Sequence, residues 1–158
     1  MTTDQSKSWI LSFELKPLGV VEGFNNILRF TTFAEYKYPL YGDRMPAIWF
    51  WSKSTRLHIW NSVNGKLIAY NDDKNLPQNE FTHIELKQIL DGSNQYVFSI
   101  HIGGIKVYEV LNKDARNWNN VHVWLSDPWS PAAKAVIKNF VFKNFVGGKY
   151  TEQVLSFH

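Results

Sequence analysis

Residues 81–110, FTHIELKQILDGSNQYVFSIHIGGIKVYEV, decide the fold of this 158-residue chain. Apolar and polar side chains alternate along three segments, which are separated by turn-forming residues at 91–94 and 103–104. Alternation with a period of two, interrupted by Gly, Asp and Asn, is typical of half-buried strands joined by tight turns. The stretch therefore predicts three consecutive antiparallel strands. Their inward side chains and one from the first strand of the chain should share a single core: Phe13, Ile84, Leu86, Tyr96, Phe98 and Ile100.

The rest of the chain continues the same pattern. Short apolar runs recur from Trp9 onward, giving about ten or eleven strands, with no long helical stripe and no internal repeat. Asn64-Gly65 predicts a tight hairpin turn with positive φ. Residues 71–75 are expected to form a solvated loop, and residues 114–120 one helical turn. Gly147-Gly148 should separate a last short segment at residues 150–157. The predicted fold class is all-β, an antiparallel sandwich or barrel, with a disordered tail at residues 1–8 and one domain at 9–158.

Composition and charge exclude several classes of partner. The net charge is only +3 and no run of Lys or Arg builds a basic patch, so we expect neither nucleic-acid binding nor membrane insertion. The chain has no cysteine, which excludes a disulfide framework and thiolate chemistry. The first residues, MTTDQSKSW, are polar and do not read as a signal peptide.

Catalytic motifs are absent from the sequence. It contains no HExxH, CxxC or GxSxG pattern and no glycine loop for phosphate. Retaining glycosidases need two carboxylates about 5 Å apart, and no strand offers a pair at alternate positions. The sequence therefore predicts that the chain is not an enzyme, and a polysaccharide hydrolase is the least favoured alternative.

A second strand face, opposite the core, is rich in Trp, His, Asn and Arg. If Leu57 and Ile59 point into the core, His58 and Trp60 point outward, because side chains alternate along a strand. Aromatic rings stack on sugars, and amides and guanidinium groups bind vicinal hydroxyls. These tryptophans could equally fill a second apolar layer. The predicted ligand-binding residues are Arg44, Trp51, His58, Trp60, Asn61, His101, Asp127 and Trp129.

Several segments together resemble a known family. NNILRFTT (25–32), YGDRMPAIWFW (41–51), RLHIWNSVNGK (56–66) and VHVWLSDPWSPAAKAVIKNFVF (121–142), with the central meander, resemble a concanavalin A-like lectin or laminin-G jelly-roll module. The strand order also resembles that of galectins, but their His-x-Asn-x-Arg sugar motif is absent. The resemblance implies an antiparallel β-sandwich of the jelly-roll type. It also implies a lectin-like module that binds a glycan or glycoprotein without catalysis. A protein-binding adhesion or structural module is the alternative.

The same resemblance bears on cofactors and location. It implies an extracellular or cell-surface protein, and it leaves an oligomer open. No cofactor is expected. A calcium site at a loop rim is the open alternative, since Asp oxygens in loops suit calcium; its candidate ligands are Asp43, Asp127 and Asp72-Asp73.

Overall fold

The computed structural model describes residues 1–153 and Leu155, and these residues form twelve strands and no helix. In chain order the strands are β1 Thr2–Gln5, β2 Trp9–Pro17, β3 Asn25–Thr31, β4 Ala47–Phe50, β5 Arg56–Val63, β6 Lys66–Asn75, β7 Thr82–Leu90, β8 Tyr96–Ile102, β9 Ile105–Leu111, β10 Trp118–Leu125, β11 Ala135–Val146 and β12 Lys149–Gln153. None of the described residues belongs to a helix with the length and apolar character needed to cross a membrane.

The strands form two six-stranded sheets. The first sheet has the order β1-β10-β3-β4-β5-β6, and the second has the order β12-β11-β2-β7-β8-β9. The strand pairs are antiparallel, and β7, β8 and β9 are neighbours in the second sheet, as the meander at residues 81–110 predicts. The predicted all-β jelly-roll sandwich is confirmed.

The core lies between the two sheets. Phe30 of the first sheet packs against Phe142 of the second, with ring centroids 5.0 Å apart. Five of the six predicted core side chains are buried: Phe13, Ile84, Leu86, Phe98 and Ile100. Tyr96 differs, because it begins β8 at the edge of the core and is only half-buried, with the Lys7 ammonium 6.0 Å from its ring centroid.

The sequence prediction differs from the structure at three polar segments. Residues 2–5 are not disordered but form β1, which pairs with β10; Gln5 is buried and its Nε2 donates to the Met45 carbonyl at 2.9 Å. Residues 71–75 extend β6 and pair with β5. Residues 118–120 begin β10 and form no helical turn. Main-chain pairing holds these segments in an edge strand of the first sheet or next to one, and side-chain alternation does not reveal such pairing.

The predicted hairpin turn is confirmed. Asn64 and Gly65 have φ values of 54° and 75°, and they join β5 to β6 where Val63 faces Lys66. A last short segment was predicted at residues 150–157. Its first part lies in β12, while residues 154 and 156–158 are outside the described residues.

The middle of the first sheet is covered on both faces. Every residue of β3 and of β4 is buried, although only alternate residues can face the core. The connections at residues 32–46 and 126–134 flank the outer face of these strands. A groove remains between the two connections.

Candidate functional site

The groove lies on the outer face of the first sheet and has a volume of about 670 Å³. This size is typical of ligand sites in proteins. Aromatic and cationic side chains dominate its lining, which consists of Phe24, Arg29, Tyr36, Tyr38, Arg44, Trp49, His58, Trp60, Trp129 and Ser130.

Strand register builds the floor of the groove. Trp49 of β4 lies opposite His58 of β5, and Trp60 lies two residues further along β5. Ile48, next to Trp49, and Ile59, between His58 and Trp60, are buried in the core. Because side chains alternate along a strand, Trp49, His58 and Trp60 point outward. The ring centroid of His58 is 6.1 Å from that of Trp49 and 5.6 Å from that of Trp60. The floor is therefore a continuous aromatic surface.

Loop residues build the walls. Tyr36, Tyr38 and Phe24 are 48%, 45% and 41% exposed. Tyr36 contacts Trp129, with centroids 6.2 Å apart, and Tyr38 meets Trp60 edge-on at 6.0 Å. Phe24 stands at the other end, 5.0 Å from the ring of His58. The walls thus present large aromatic rings to solvent while resting on the floor.

A buried ion-pair cluster supports the groove from below. The Arg29 guanidinium is fully buried, and it donates from Nη2 to Asp43 Oδ2 at 2.6 Å and from Nη1 to Asp127 Oδ2 at 3.1 Å. Its Nε donates to the Asp43 carbonyl at 3.2 Å. Asp43 belongs to the connection at 32–46 and Asp127 to that at 126–134, so Arg29 ties both flanking connections to β3.

Arg44 is a second cation in the groove, and it is held differently. Its guanidinium carbon lies 4.3, 4.8 and 4.6 Å from the ring centroids of Tyr38, Trp49 and Trp60. Among the described residues, its nearest carboxylate oxygen is Asp43 Oδ2, which pairs with Nε at 3.7 Å, and Nε has no hydrogen-bond partner. Burial, followed by the charge of Arg29, lowers the pKa of Arg44 from its ordinary value. Arg44 is thus enclosed by three aromatic rings, and the carboxylate nearest to it is already bound to Arg29 at 2.6 Å.

His58 is held in its neutral form. Trp60 Nε1 lies 2.5 Å from His58 Nε2, and an indole nitrogen can only donate, so Nε2 accepts. The proton is then on Nδ1, which lies 2.5 Å from Asn71 Oδ1. Burial is the main cause that lowers the pKa of His58, and Arg44 lowers it further, while the Asn71 contact opposes this shift. Because both ring nitrogens are engaged, His58 positions Trp60 in the floor.

Five of the eight predicted site residues lie in the groove or against it. Arg44, His58, Trp60 and Trp129 line it. Trp51 packs beside its end, with its ring centroid 4.7 Å from that of Phe24 and 4.9 Å from that of His58.

The other three predicted residues lie elsewhere. Asp127 is buried beneath the groove on Arg29. Asn61 is buried and shares the inward face of β5 with Ile59, because the two are two residues apart. His101 belongs to the second sheet, with its Nδ1 3.8 Å from Glu85 Oε1; burial, followed by the charge of Lys87, lowers its pKa.

Sequence reasoning did not assign six lining residues to the site: Phe24, Arg29, Tyr36, Tyr38, Trp49 and Ser130. Trp49 was detectable, because it has the same strand parity as Trp51. The concentration of tyrosines in residues 33–45 was a weaker signal for the wall. The sequence gives no signal for Arg29, since a single arginine in a strand such as NNILRFTT is normally expected to face solvent.

Three of the four aspartates of the calcium alternative have protein partners: Asp43, Asp127 and Asp72. Arg29 engages Asp43 and Asp127, and Asp72 Oδ1 accepts from the Tyr70 hydroxyl and the Lys74 amide, both at 3.4 Å. Across residues 1–153 and Leu155, no group of three or more His, Asp or Glu side chains is arranged to hold a metal ion.

Solved structures with low sequence identity share this fold. A marine alginate lyase from Zobellia galactanivorans has a TM-score of 0.56 at 9% identity, over 94% of this chain and 65% of the lyase. An endo-β-1,4-glucuronan lyase from the fungus Trichoderma reesei has a TM-score of 0.54 at 14% identity, over 78% of this chain and 58% of the lyase. A carbohydrate-binding module from Bacillus subtilis has a TM-score of 0.50 at 12% identity, over 89% of this chain and 76% of the module. No protein-family model and no curated protein matches the sequence.

These structures confirm the concanavalin A-like jelly roll and correct one prediction. The chain spans less than two thirds of either lyase, and likeness at this identity shows the fold. The prediction that the chain is not an enzyme is overturned, because two structures with the same fold are polysaccharide lyases. The missing carboxylate pair bears only on hydrolysis by the retaining glycosidase mechanism. The same fold is also found in polysaccharide lyases, which do not use that mechanism.

Proposed function

We propose that the groove binds a carbohydrate. The observation that carries this proposal is the set of three rings, Phe24, Tyr36 and Tyr38, each more than two fifths exposed and gathered along one groove. Exposed aromatic clusters mark binding sites, and the apolar face of a sugar ring stacks on an aromatic ring. The tyrosine hydroxyls and the Arg44 fork add polar groups that can bind sugar hydroxyls.

The shared fold supports the same class of ligand. One similar structure is named a carbohydrate-binding module, and the two lyases are named for polysaccharides. On this proposal the partner is a glycan or a glycoprotein, and the chain acts outside the cell or at its surface.

A glycan panel followed by calorimetry tests the proposal. Removing one stacked ring by Tyr36→Ala or Tyr38→Ala should weaken the best ligand by about twofold to tenfold, and the double variant should lose more. Tyr150→Ala is the matched control, since Tyr150 is also exposed but lies on β12, outside the groove. Unchanged affinity in the folded double variant would contradict binding in this groove.

Cleavage of an acidic polysaccharide by elimination is the second candidate function. Such a reaction removes the proton next to a sugar carboxylate, expels the glycosidic oxygen and leaves a carbon–carbon double bond. Arg44 could neutralise the carboxylate. Tyr38, whose ring centroid lies 4.3 Å from the Arg44 guanidinium carbon, is the candidate for proton transfer through its hydroxyl. Glucuronan and alginate are the substrates to assay, through the ultraviolet absorbance of the unsaturated product. Binding without any unsaturated product would leave carbohydrate binding as the function.

A further inference from the structure

We infer that the groove takes an acidic sugar and that the Arg44 guanidinium binds its carboxylate. The inference rests on the proposed carbohydrate binding and adds to it the charge of the ligand and the residue that recognises it.

The two arginines of the groove differ in how their charges are satisfied. Arg29 makes three hydrogen bonds to Asp43 and Asp127 and is 0% exposed. Arg44 is 9% exposed, and within residues 1–153 and Leu155 its guanidinium makes no hydrogen bond. A guanidinium removed from water normally has a carboxylate or an equivalent acceptor, because desolvating an unpaired charge is costly. The Asp43 carboxylate lies 3.7 Å from Arg44 Nε and is held by Arg29 at 2.6 Å, so the hydrogen-bonding groups of Arg44 remain open to a carboxylate from a ligand.

The charge of the groove surface favours an anion. None of the described residues that line it carries a carboxylate. The nearby carboxylates of Asp43 and Asp127 are fully buried and held by Arg29, so a ligand does not meet them. His58 Nε2 accepts the Trp60 N–H, as a neutral imidazole does, and Arg29 has no exposed surface. Among the lining residues, Arg44 is thus the charge that a ligand encounters.

The surroundings of Arg44 suit a carboxylate attached to a sugar ring. Its guanidinium lies between Tyr38, Trp49 and Trp60, which restrict its orientation. An arginine fork held in this way matches the two oxygens of a carboxylate. The sugar carboxylate projects from the edge of the pyranose, so a sugar stacked on the exposed Tyr38 ring can bring it to the neighbouring guanidinium.

Matched ligands provide the first test. Calorimetry should compare β-1,4-linked oligoglucuronate with cello-oligosaccharide of equal length, and oligogalacturonate with its methyl ester. The acidic member of a bound pair should bind about tenfold to hundredfold more tightly, as expected for charge-assisted hydrogen bonds. Added salt should weaken the acidic member more than the neutral one.

Matched variants provide the second test. Arg44→Gln should remove the preference for the acidic member, and Arg44→Lys should restore only part of it, because lysine lacks the fork. Arg116→Gln removes one positive charge from an exposed ion pair outside the groove, and it should leave the preference unchanged. Melting temperatures establish that each variant is folded. If Arg44→Gln does not fold, the comparison of oligogalacturonate with its methyl ester on the wild-type chain decides whether the groove prefers the acidic sugar.

The outcomes separate this inference from the proposed function. Equal affinity for acidic and neutral members, unaffected by Arg44→Gln, overturns the acidic ligand and keeps carbohydrate binding. Binding of sulfated but not carboxylated sugars likewise overturns the carboxylate. Failure to bind any sugar of the panel overturns both.

Discussion

The buried charge of Arg29 beneath the groove is balanced by two single residues, Asp43 and Asp127. A substitution at Asp43 measures how much this balance contributes to stability. Asp43→Asn removes one of the two carboxylates that hold the buried Arg29. We expect a loss of about 3–5 kcal/mol in the free energy of unfolding, because breaking a buried pair leaves an uncompensated charge. Urea denaturation measures it. Asp114→Asn, in an exposed pair with Arg116, should change stability little. Equal effects of the two variants would contradict this account of the buried cluster.

The hydrogen bond between Trp60 and His58 provides a prediction for the groove floor. Trp60→Phe keeps an aromatic ring but removes the N–H that His58 Nε2 accepts. That bond favours the neutral imidazole, so its loss should raise the pKa of His58 towards its ordinary value. Proton NMR titration follows the imidazole signal of His58, and the remaining histidines serve as internal references. An unaltered His58 titration would show that the bond has no influence.

The lowered pKa of His58 also predicts how stability depends on pH. As the pH falls below the ordinary value of 6.5, the unfolded chain takes up the proton before the folded one. The contribution of His58 to stability is therefore complete above that value and is lost as the pH falls through the folded pKa. His58→Gln should flatten the fall in melting temperature on acidification. His101→Gln should do so separately, because the pKa of His101 is lowered too. Parallel curves for wild type and both variants would contradict the prediction.

At the scale of elements, the β5–β6 hairpin depends on its turn. Gly65 has a φ of 75°, a conformation that β-branched residues resist. Gly65→Val should destabilise the chain by on the order of 1–2 kcal/mol. Gly92→Val is the control, because Gly92 lies outside the left-handed region and a Cβ there meets nothing within 4 Å. Chemical denaturation of both variants decides, and similar losses would exclude the turn conformation as the cause.

Which elements the sequence predicts depends on what holds them. β7, β8 and β9 were predictable, because alternate side chains enter the core and turn residues separate the strands. β1 and the second half of β6 were not, since their residues are polar and main-chain pairing holds them at the edges of the first sheet. An edge strand needs no apolar alternation of its own.

The candidate site divides in the same way. Strand parity identified His58 and Trp60, and applied consistently it would have assigned Asn61 to the core side with Ile59. Tyr36 and Tyr38 lie in a connection without periodicity, and its path over the sheet depends on tertiary contacts. The partners of Arg29 are 14 and 98 residues away in sequence, so local patterns could not reveal them.

At the scale of the whole molecule, the two sheets depend on one shared core. Phe142→Ala removes the ring that packs against Phe30 across the sandwich, and it should cost about 3–5 kcal/mol. Phe145→Ala, on the same strand but 42% exposed, is the control and should cost much less. Circular dichroism and tryptophan fluorescence should report one coincident transition. Separate transitions by the two probes would show that the sheets unfold independently.

The cluster around Arg29 has a consequence for the thermodynamics of recognition. The Arg29 guanidinium binds both connections that flank the groove, those at residues 32–46 and 126–134, to β3. The conformational entropy of these connections is therefore lost during folding. On the proposed function, a ligand meets a preformed site, and little conformational entropy of the protein is lost when it binds. Affinity in such a groove depends on the contacts that the ligand makes with fixed walls. A ligand that is too wide or too narrow binds weakly, because the walls do not move to fit it. Selectivity is therefore a property of the folded chain before any ligand arrives.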